Sequence, residues 1–249
     1  MRLGEATWPD VQHAVAGGRR GTGTGTTDRA PAPIVLIPVG STEQHGPHLP
    51  LATDTLIAEE IAQRAVHLTD GLMVGPTLGV TASGEHAGFA GTLSIGAEAM
   101  ELVVTELGRS ADWAAGVVFV NGHGGNREAM TRAAARLGEE GRTVLAWFPR
   151  WPRRTDGGPA DLHAGRIETS LMLAIDPGLV RLELARPGPD STVEELRASG
   201  VRAVSPTGVL GDPTGASGGE GERLVTQLVA DLVQQIERWR PLVAAAGDT

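Results

Sequence analysis

The sequence predicts an α/β domain built on a mostly parallel sheet. Three observations carry that expectation. Short apolar runs rich in β-branched residues recur along the chain. A stretch with helical spacing of apolar residues follows each of them. Neither an internal repeat nor a convincing linker breaks the alternation after residue 33. A chain of 249 residues can bury roughly 70–75% of its unfolded surface in one core, so a single domain over 1–249 is expected.

The elements follow in order. Gly17 to Pro33 is dense in Gly, Thr and Pro with no apolar periodicity, and reads as a flexible, exposed loop. Its alternating glycines follow no strand, which argues against a dinucleotide-binding turn. Ile34 to Val39 reads as a buried strand, and Thr55 to Leu68 as a helix with Leu56, Ile57, Ile61 and Ala65 near one face. Leu72 to Gly75 is a strand candidate ended by Pro76, and Ala97 to Trp113 is helical. Val117 to Val120 reads as a second buried strand, followed by an Ala-rich helix from Asn126 to Leu137 that stops near Gly141. Thr143 to Phe148 is a strand, and Arg166 to Ala174 a helix closed by Pro177. The last helix is the clearest: Ser217 and Glu220 make a capping-box pattern. Leu224, Val225, Leu228, Val229, Leu232, Val233 and Ile236 then form one stripe.

Composition removes whole classes of function. The chain has no cysteine, tyrosine or lysine, so all 21 cationic side chains are arginine. That excludes disulfides, Cys-ligated zinc or iron–sulfur clusters and thiolate catalysis. It also excludes a lysine Schiff base and a P-loop. A net charge of −9 with only 3% aromatics argues against nucleic-acid binding. No run reaches the roughly 20 apolar residues of a membrane span, and the first 25 residues lack a signal-peptide core. A cytoplasmic protein with no membrane partner is the expectation.

In parallel α/β sheets, ligands bind beyond the carboxyl ends of the strands. Strand 34–39 runs into Gly40-Ser41-Thr42-Glu43-Gln44-His45-Gly46-Pro47-His48, and Asp54 opens a helix. Glu43 and His45 point the same way in extended chain. With Asp54 they make a plausible metal set, although a polar loop with a capping Asp explains this stretch alone equally well. Strand 117–120 runs into Asn121-Gly122-His123-Gly124-Gly125-Asn126, where His123 has backbone room for an ion or a carbonyl partner. A third cluster, Asp161 to Ser170, sets His163 before a helix and Glu168 inside it. Ser83, Glu85 and His86 sit in a fourth, glycine-spaced loop that could wall a substrate pocket.

Together, GSTEQHGPHLPLATD, GEHAGFAGT, VNGHGGN and HAGRIETS, in this order across residues 40 to 170, resemble the creatininase family of metal-dependent amidohydrolases. A weaker match lies at 208–213. The resemblance implies a three-layer αβα fold and two divalent cations per chain. It implies Glu43, His45, Asp54 and His123 as ligands, with Asp54 the bridge. Creatininase has an aromatic residue and then a Glu after the His of its Gly-His motif, where this chain has Gly124 and Gly125. Creatinine is therefore not the expected substrate, and Glu168 is the natural replacement ligand. Charge agrees: Glu43, Asp54, Glu168 and a hydroxide neutralise two divalent cations, as a buried site requires. Carboxylate and imidazole ligands suit Zn, Fe(II) and Mn alike.

The activity this implies is amide hydrolysis by a metal-activated water, with His163 as the acid that protonates the leaving nitrogen and Glu168 beside it. Asp161-Leu162-His163-Ala164-Gly165-Arg166 and Val201 to Pro206 resemble one branch of the family in particular. That branch matures a ribosomally made peptide by releasing a C-terminal Val-Tyr dipeptide. A small peptide substrate follows, and Arg150 or Arg153 in the basic loop 148–154 could pair with its carboxylate. A solvated loop or a subunit contact is the plainer reading of those arginines. The competing functions are another family amidohydrolase or deformylase acting on a small cyclic amide or formamide, and a non-catalytic metal-binding protein. A serine hydrolase on Ser41 lacks the Gly-x-Ser-x-Gly elbow. The family often forms homo-oligomers, commonly hexamers built from dimers. His48 has no assigned role, and His67 is expected at a helix C-terminus as a dipole contact.

Overall fold

The computed structural model describes residues 1–16, 32–151 and 161–247. The helices are α1 (Trp8–Val15), α2 (Thr53–Leu68), α3 (Gly96–Ser110), α4 (Arg127–Glu139), α5 (Arg166–Ile175), α6 (Val193–Ser199), α7 (Val201–Val204) and α8 (Gly218–Gly247). The strands are β1 (Ile34–Val39), β2 (Leu72–Val74), β3 (Gly116–Asn121) and β4 (Val144–Trp147), all parallel in the order β2-β1-β3-β4. The sheet has helices on both faces, so the fold is a three-layer αβα sandwich.

Both central strands are buried along their whole length. This is why they read as unbroken apolar runs instead of alternating ones. Ile34, Leu36, Val118 and Val120 face one layer, against Ile57 and Ile61 of α2, Leu171 of α5 and Leu228, Leu232 and Ile236 of α8. Val35, Ile37, Val117 and Phe119 face the other, against Met100 and Val104 of α3 and Met130 and Ala133 of α4. Pro38 stands in the middle of the sheet, where it removes a ladder donor. The gap falls on the β2 side, beyond the end of β2 at Val74, and only the Pro38 carbonyl is used there, accepting from Leu78 N–H at 2.9 Å.

The expected elements are present: β1 keeps its bounds, the ends of the others move by at most three residues, and α8 runs on past Ile236 to Gly247. Helix α2 starts at Thr53 instead of Thr55, and the Thr53 hydroxyl and N–H both donate to the Pro50 carbonyl, at 2.7 and 3.2 Å. The capping box of α8 forms only in half. Ser217 Oγ accepts from Glu220 N–H at 3.3 Å. The Glu220 carboxylate instead takes Arg166 Nε at 2.8 Å and Ser170 Oγ at 3.2 Å, tying α8 to α5. Helices α1 and α6 were not legible as apolar stripes. Each carries a complete capping box, Thr7 with Asp10 and Thr192 with Glu195. Residues 17–31 of the expected loop lie outside the described residues.

Candidate metal centre

Of the seven histidines in the chain, His45, His48, His86, His123 and His163 are buried. They come from segments that follow the strands. Glu43, His45 and Asp54 come from the stretch between β1 and α2, and His86 from the long loop after β2. His123 directly follows β3. His163 and Glu168 sit at the start of α5, downstream of β4. Two glycines let the start of α2 press against the strand ends. A β carbon at Gly40 would overlap the Thr55 backbone, and one at Gly122 the Asp54 carbonyl. His163 is fixed by a two-way backbone pairing with Leu210, at 3.2 and 2.8 Å. Ala164 then turns the chain with a positive φ of 51°, and its N–H donates to Glu168 Oε2 at 2.6 Å.

Three histidines share one arrangement. Each gives a ring proton to a main-chain carbonyl, which can only accept, and so turns its other nitrogen inward as a lone pair. His45 Nδ1 bonds the Glu43 carbonyl at 3.2 Å, leaving Nε2 at 3.1 Å from Asp54 Oδ1 and 3.8 Å from Glu168 Oε2. His123 Nε2 bonds the Ala82 carbonyl at 3.0 Å, leaving Nδ1 at 3.1 Å from Asp54 Oδ2. His163 Nε2 bonds the Gln44 carbonyl at 2.7 Å, leaving Nδ1 at 3.8 Å from Glu43 Oε1. Asp54 thus offers one oxygen to His45 and the other to His123, and Ser41 Oγ donates to it at 2.7 Å.

Lone pairs that face carboxylate oxygens at such distances repel unless positive charge lies between them. The electrostatics of the buried groups make the same demand. Burial alone would depress His45, but Asp54, Glu168 and Glu43 outweigh it and push its pKa up to about 10. Burial is likewise overcome at His123 by Glu43 and Asp54, which hold it well above its usual value. Asp54 stays well below the carboxylate range despite burial, because His45 and His123 face it. Burial raises Glu168 to about 7 against the pull of His45. His163 is held well below its usual value by burial and by the neighbouring His45 and His86.

A cation meets that demand with both imidazoles neutral. Neither oxygen of the fully buried Glu43 carboxylate accepts a hydrogen bond, a costly state without a cationic partner. Three sets of donor atoms lie within 4.8 Å of one another: Glu43, Asp54 and His123; His45, His163 and Glu168; Glu43, His86 and His163. The donor types suit divalent cations.

Of the residues expected from sequence, Glu43, His45, Asp54, His123, His163 and Glu168 converge in this cluster. Glu85 and His86 join it. Glu85 Oε1 lies 3.3 Å from His123 Nε2, and His86 Nε2 lies 3.1 Å from Glu43 Oε1. Ser83 is buried with its hydroxyl unpartnered. Arg150 is exposed and, among the described residues, forms no ion pair with the cluster, while Arg153 lies outside the described residues. His48 is buried and bonds Thr169 Oγ1 at 3.0 Å, and burial holds its pKa down to about 4. His67 lies exposed in the last turn of α2.

Sequence reasoning passed over Gln44 and Asn126 as site residues, and weighed Ser41 only as a nucleophile, not as the donor to Asp54. Asn126 bonds the Ala82 N–H and the Gly40 carbonyl at 3.2 and 3.0 Å, stitching three loops together. The signal for all three was their place in the same short motifs, between residues already chosen.

Comparison with known proteins gives a consistent picture. The family model described as "Creatininase: Creatinine amidohydrolase" matches residues 24–236. The "Mycofactocin precursor peptide peptidase" of Mycobacterium ulcerans (strain Agy99) is 46% identical over 234 residues, 88% of this chain and 91% of that protein. Among solved structures, a tryptophan-to-alanine mutant of creatininase superimposes with a TM-score of 0.76 at 26% identity. It covers 96% of this chain and 98% of that one. A structure described as "Creatininase Mn" superimposes with a TM-score of 0.72 at 25% identity, covering 95% of this chain and 97% of that one.

Proposed function

The chain belongs to the creatininase family and is a hydrolase of amide bonds, and from that premise we propose that it is a peptidase of mycofactocin maturation. The substrate is the modified precursor peptide and the product released is its C-terminal Val-Tyr dipeptide. The observation that carries the metal chemistry is the inward turn of three carbonyl-anchored histidines onto buried carboxylates. The substrate assignment is supported by the identity to the Mycobacterium ulcerans peptidase along most of both chains.

Glu43, Asp54 and His123 would hold one divalent cation and His45, Asp54 and Glu168 a second, of zinc, iron(II) or manganese. Bound there, the cations supply Lewis-acid polarisation of the amide carbonyl and a water that is nucleophilic at neutral pH. The protein's own groups do the rest. His163, neutral and with Nδ1 bare, accepts the proton of the attacking water. The water oxygen bonds the carbonyl carbon, the C–N bond breaks, and His163 returns that proton to the leaving nitrogen. Glu168, held by the Ala164 N–H, fixes the turn that carries His163. Ser83, Glu85 and His86 line the substrate side, and Arg150 or Arg153 would meet the terminal carboxylate. The reading takes in one domain over 1–249 and a cytoplasmic homo-oligomer.

Mass spectrometry of a single reaction tests it. The protein, loaded in turn with zinc, iron(II) or manganese, is mixed with modified precursor ending in Val-Tyr. Release of the dipeptide, abolished by a chelator, is the expected result. Tight metal binding with no release under any of the three would overturn the substrate and direct the search to small cyclic amides and formamides.

A further inference from the structure

Gln44 lies between Glu43 and His45 in the chain, and both its main chain and its side chain enter the cluster. Its carbonyl accepts the Nε2 proton of His163 at 2.7 Å. Its side-chain oxygen accepts from Gly46 N–H at 2.9 Å, which fixes the orientation of the amide. The amide nitrogen then stands 2.9 Å from His86 Nδ1, 3.0 Å from His163 Nε2 and 3.3 Å from the Gly208 carbonyl. An amide nitrogen has two hydrogens to give. His163 Nε2 already carries the proton donated to the Gln44 carbonyl, so it cannot accept another. The two hydrogens therefore go to His86 Nδ1 and to the Gly208 carbonyl.

A neutral imidazole whose Nδ1 accepts carries its own proton on Nε2. For His86 that Nε2 stands 3.1 Å from Glu43 Oε1, yet the approach is out of line and the oxygen accepts no hydrogen bond. The N–H is thus presented to the site without a committed partner. His86 and His163 pack with ring centroids 4.4 Å apart, one showing a proton inward and the other a lone pair. The slot for the amide is specific: Gly208 has φ of +84°, and a β carbon there would overlap Gln44 Oε1.

We propose that Gln44 is a positioning residue that assigns opposite roles to these two histidines. Its side chain makes His86 a hydrogen-bond donor to the oxygen that gains charge on the scissile carbonyl. Its main chain makes His163 the proton acceptor. His86 is then excluded from ligating a cation, since its Nδ1 is engaged and its Nε2 is protonated. The catalytic half of this proposal rests on the hydrolase reading above; the protonation pattern does not.

Long-range proton–nitrogen NMR of histidine-labelled, zinc-loaded protein reads the pattern directly. The expected result is Nε2–H with bare Nδ1 for both His86 and His163. In Gln44→Glu the side chain can only accept, so the His86 proton should move to Nδ1 while His163 stays as it was. Gln44→Met, close in volume, should leave His86 as a mixture of tautomers. Both variants should keep their zinc, and kcat on the substrate should fall on the order of 10²-fold with little change in KM, as for loss of one transition-state donor. His86 bound to zinc through Nε2 in the unaltered protein would overturn the proposal. So would a His86 pattern unmoved by Gln44→Glu.

Discussion

On the outer faces of the helices and in the turns that follow them, arginines and carboxylates close on one another. Arg64 reaches Glu60 at 2.6 Å and also Glu222, and Arg142 reaches Asp112 at 2.9 Å and Glu140 at 2.6 Å. At the strand ends, Glu43, Asp54 and Glu168 face histidines instead, and no arginine approaches them among the described residues. The surface pairs are complete: each charge has its counter-charge and water around it. The buried cluster is incomplete by design of its hydrogen bonds, because the carbonyls of Glu43, Ala82 and Gln44 have already taken one proton from each of three rings. What separates the two regions is which partner satisfies each ring or fork, and how much water remains. Charge count alone does not separate them, and that difference fixes what each substitution should do.

The largest effect is expected at Asp54. Asp54→Asn keeps the shape but removes the charge shared by His45 and His123, so both cations should be lost and turnover should fall by on the order of 10³-fold or more. Elemental analysis beside a turnover assay checks this, and a variant that keeps two cations and full activity would erase the contrast between the regions. His163→Ala should retain its metal and lose about 10²- to 10⁴-fold in turnover, as expected for removal of an acid–base group. Loss of metal along with activity would make His163 a ligand instead. Glu168→Gln should fall between these, since Glu168 belongs to only one of the two cation sites proposed above, the one that includes His45. Metal content near one cation per chain, measured the same way, is the expected result.

Much of this was legible in the sequence, for physical reasons that vary along the chain. β1 and β3 announced themselves because both their faces are covered, and α8 because one stripe of it packs on α5 and α2. The ligand candidates were legible because Glu43, His45 and His123 sit where strands end, the place where such sheets expose chemistry. Gln44 was not, because an amide has no charge or metal preference to betray it, and its role depends on Gly46 and Gly208 closing around it. Helix α1 was hidden because it buries none of its residues, so only the Thr7–Asp10 cap marks it. The half-formed cap at Ser217 failed for a tertiary reason: Arg166 and Ser170 compete for Glu220, and no local pattern contains that competition.

The smallest effect should come from the surface side of the comparison. Arg64 bonds Glu60 within α2 and Glu222 of α8, so it links two helices that pack on the same face of the sheet. Its side chain remains about a third accessible, and that of Glu222 about half. Water therefore screens the attraction, and holding the long side chain in place costs conformational entropy. Arg64→Ala should destabilise the fold by at most about 1 kcal/mol. For a chain of this length that is a shift of roughly 2–4 °C in Tm. The shift should shrink as salt rises, because exposed pairs are screened within about a Debye length. Thermal unfolding of both proteins at low and high ionic strength, with metal bound, measures it. A larger loss that salt does not touch would mean that the aliphatic stem of Arg64, packed between the helices, matters more than its charge. Metal content and turnover should stay unchanged in either case, because the pair lies apart from the strand ends and shares no partner with the histidine cluster.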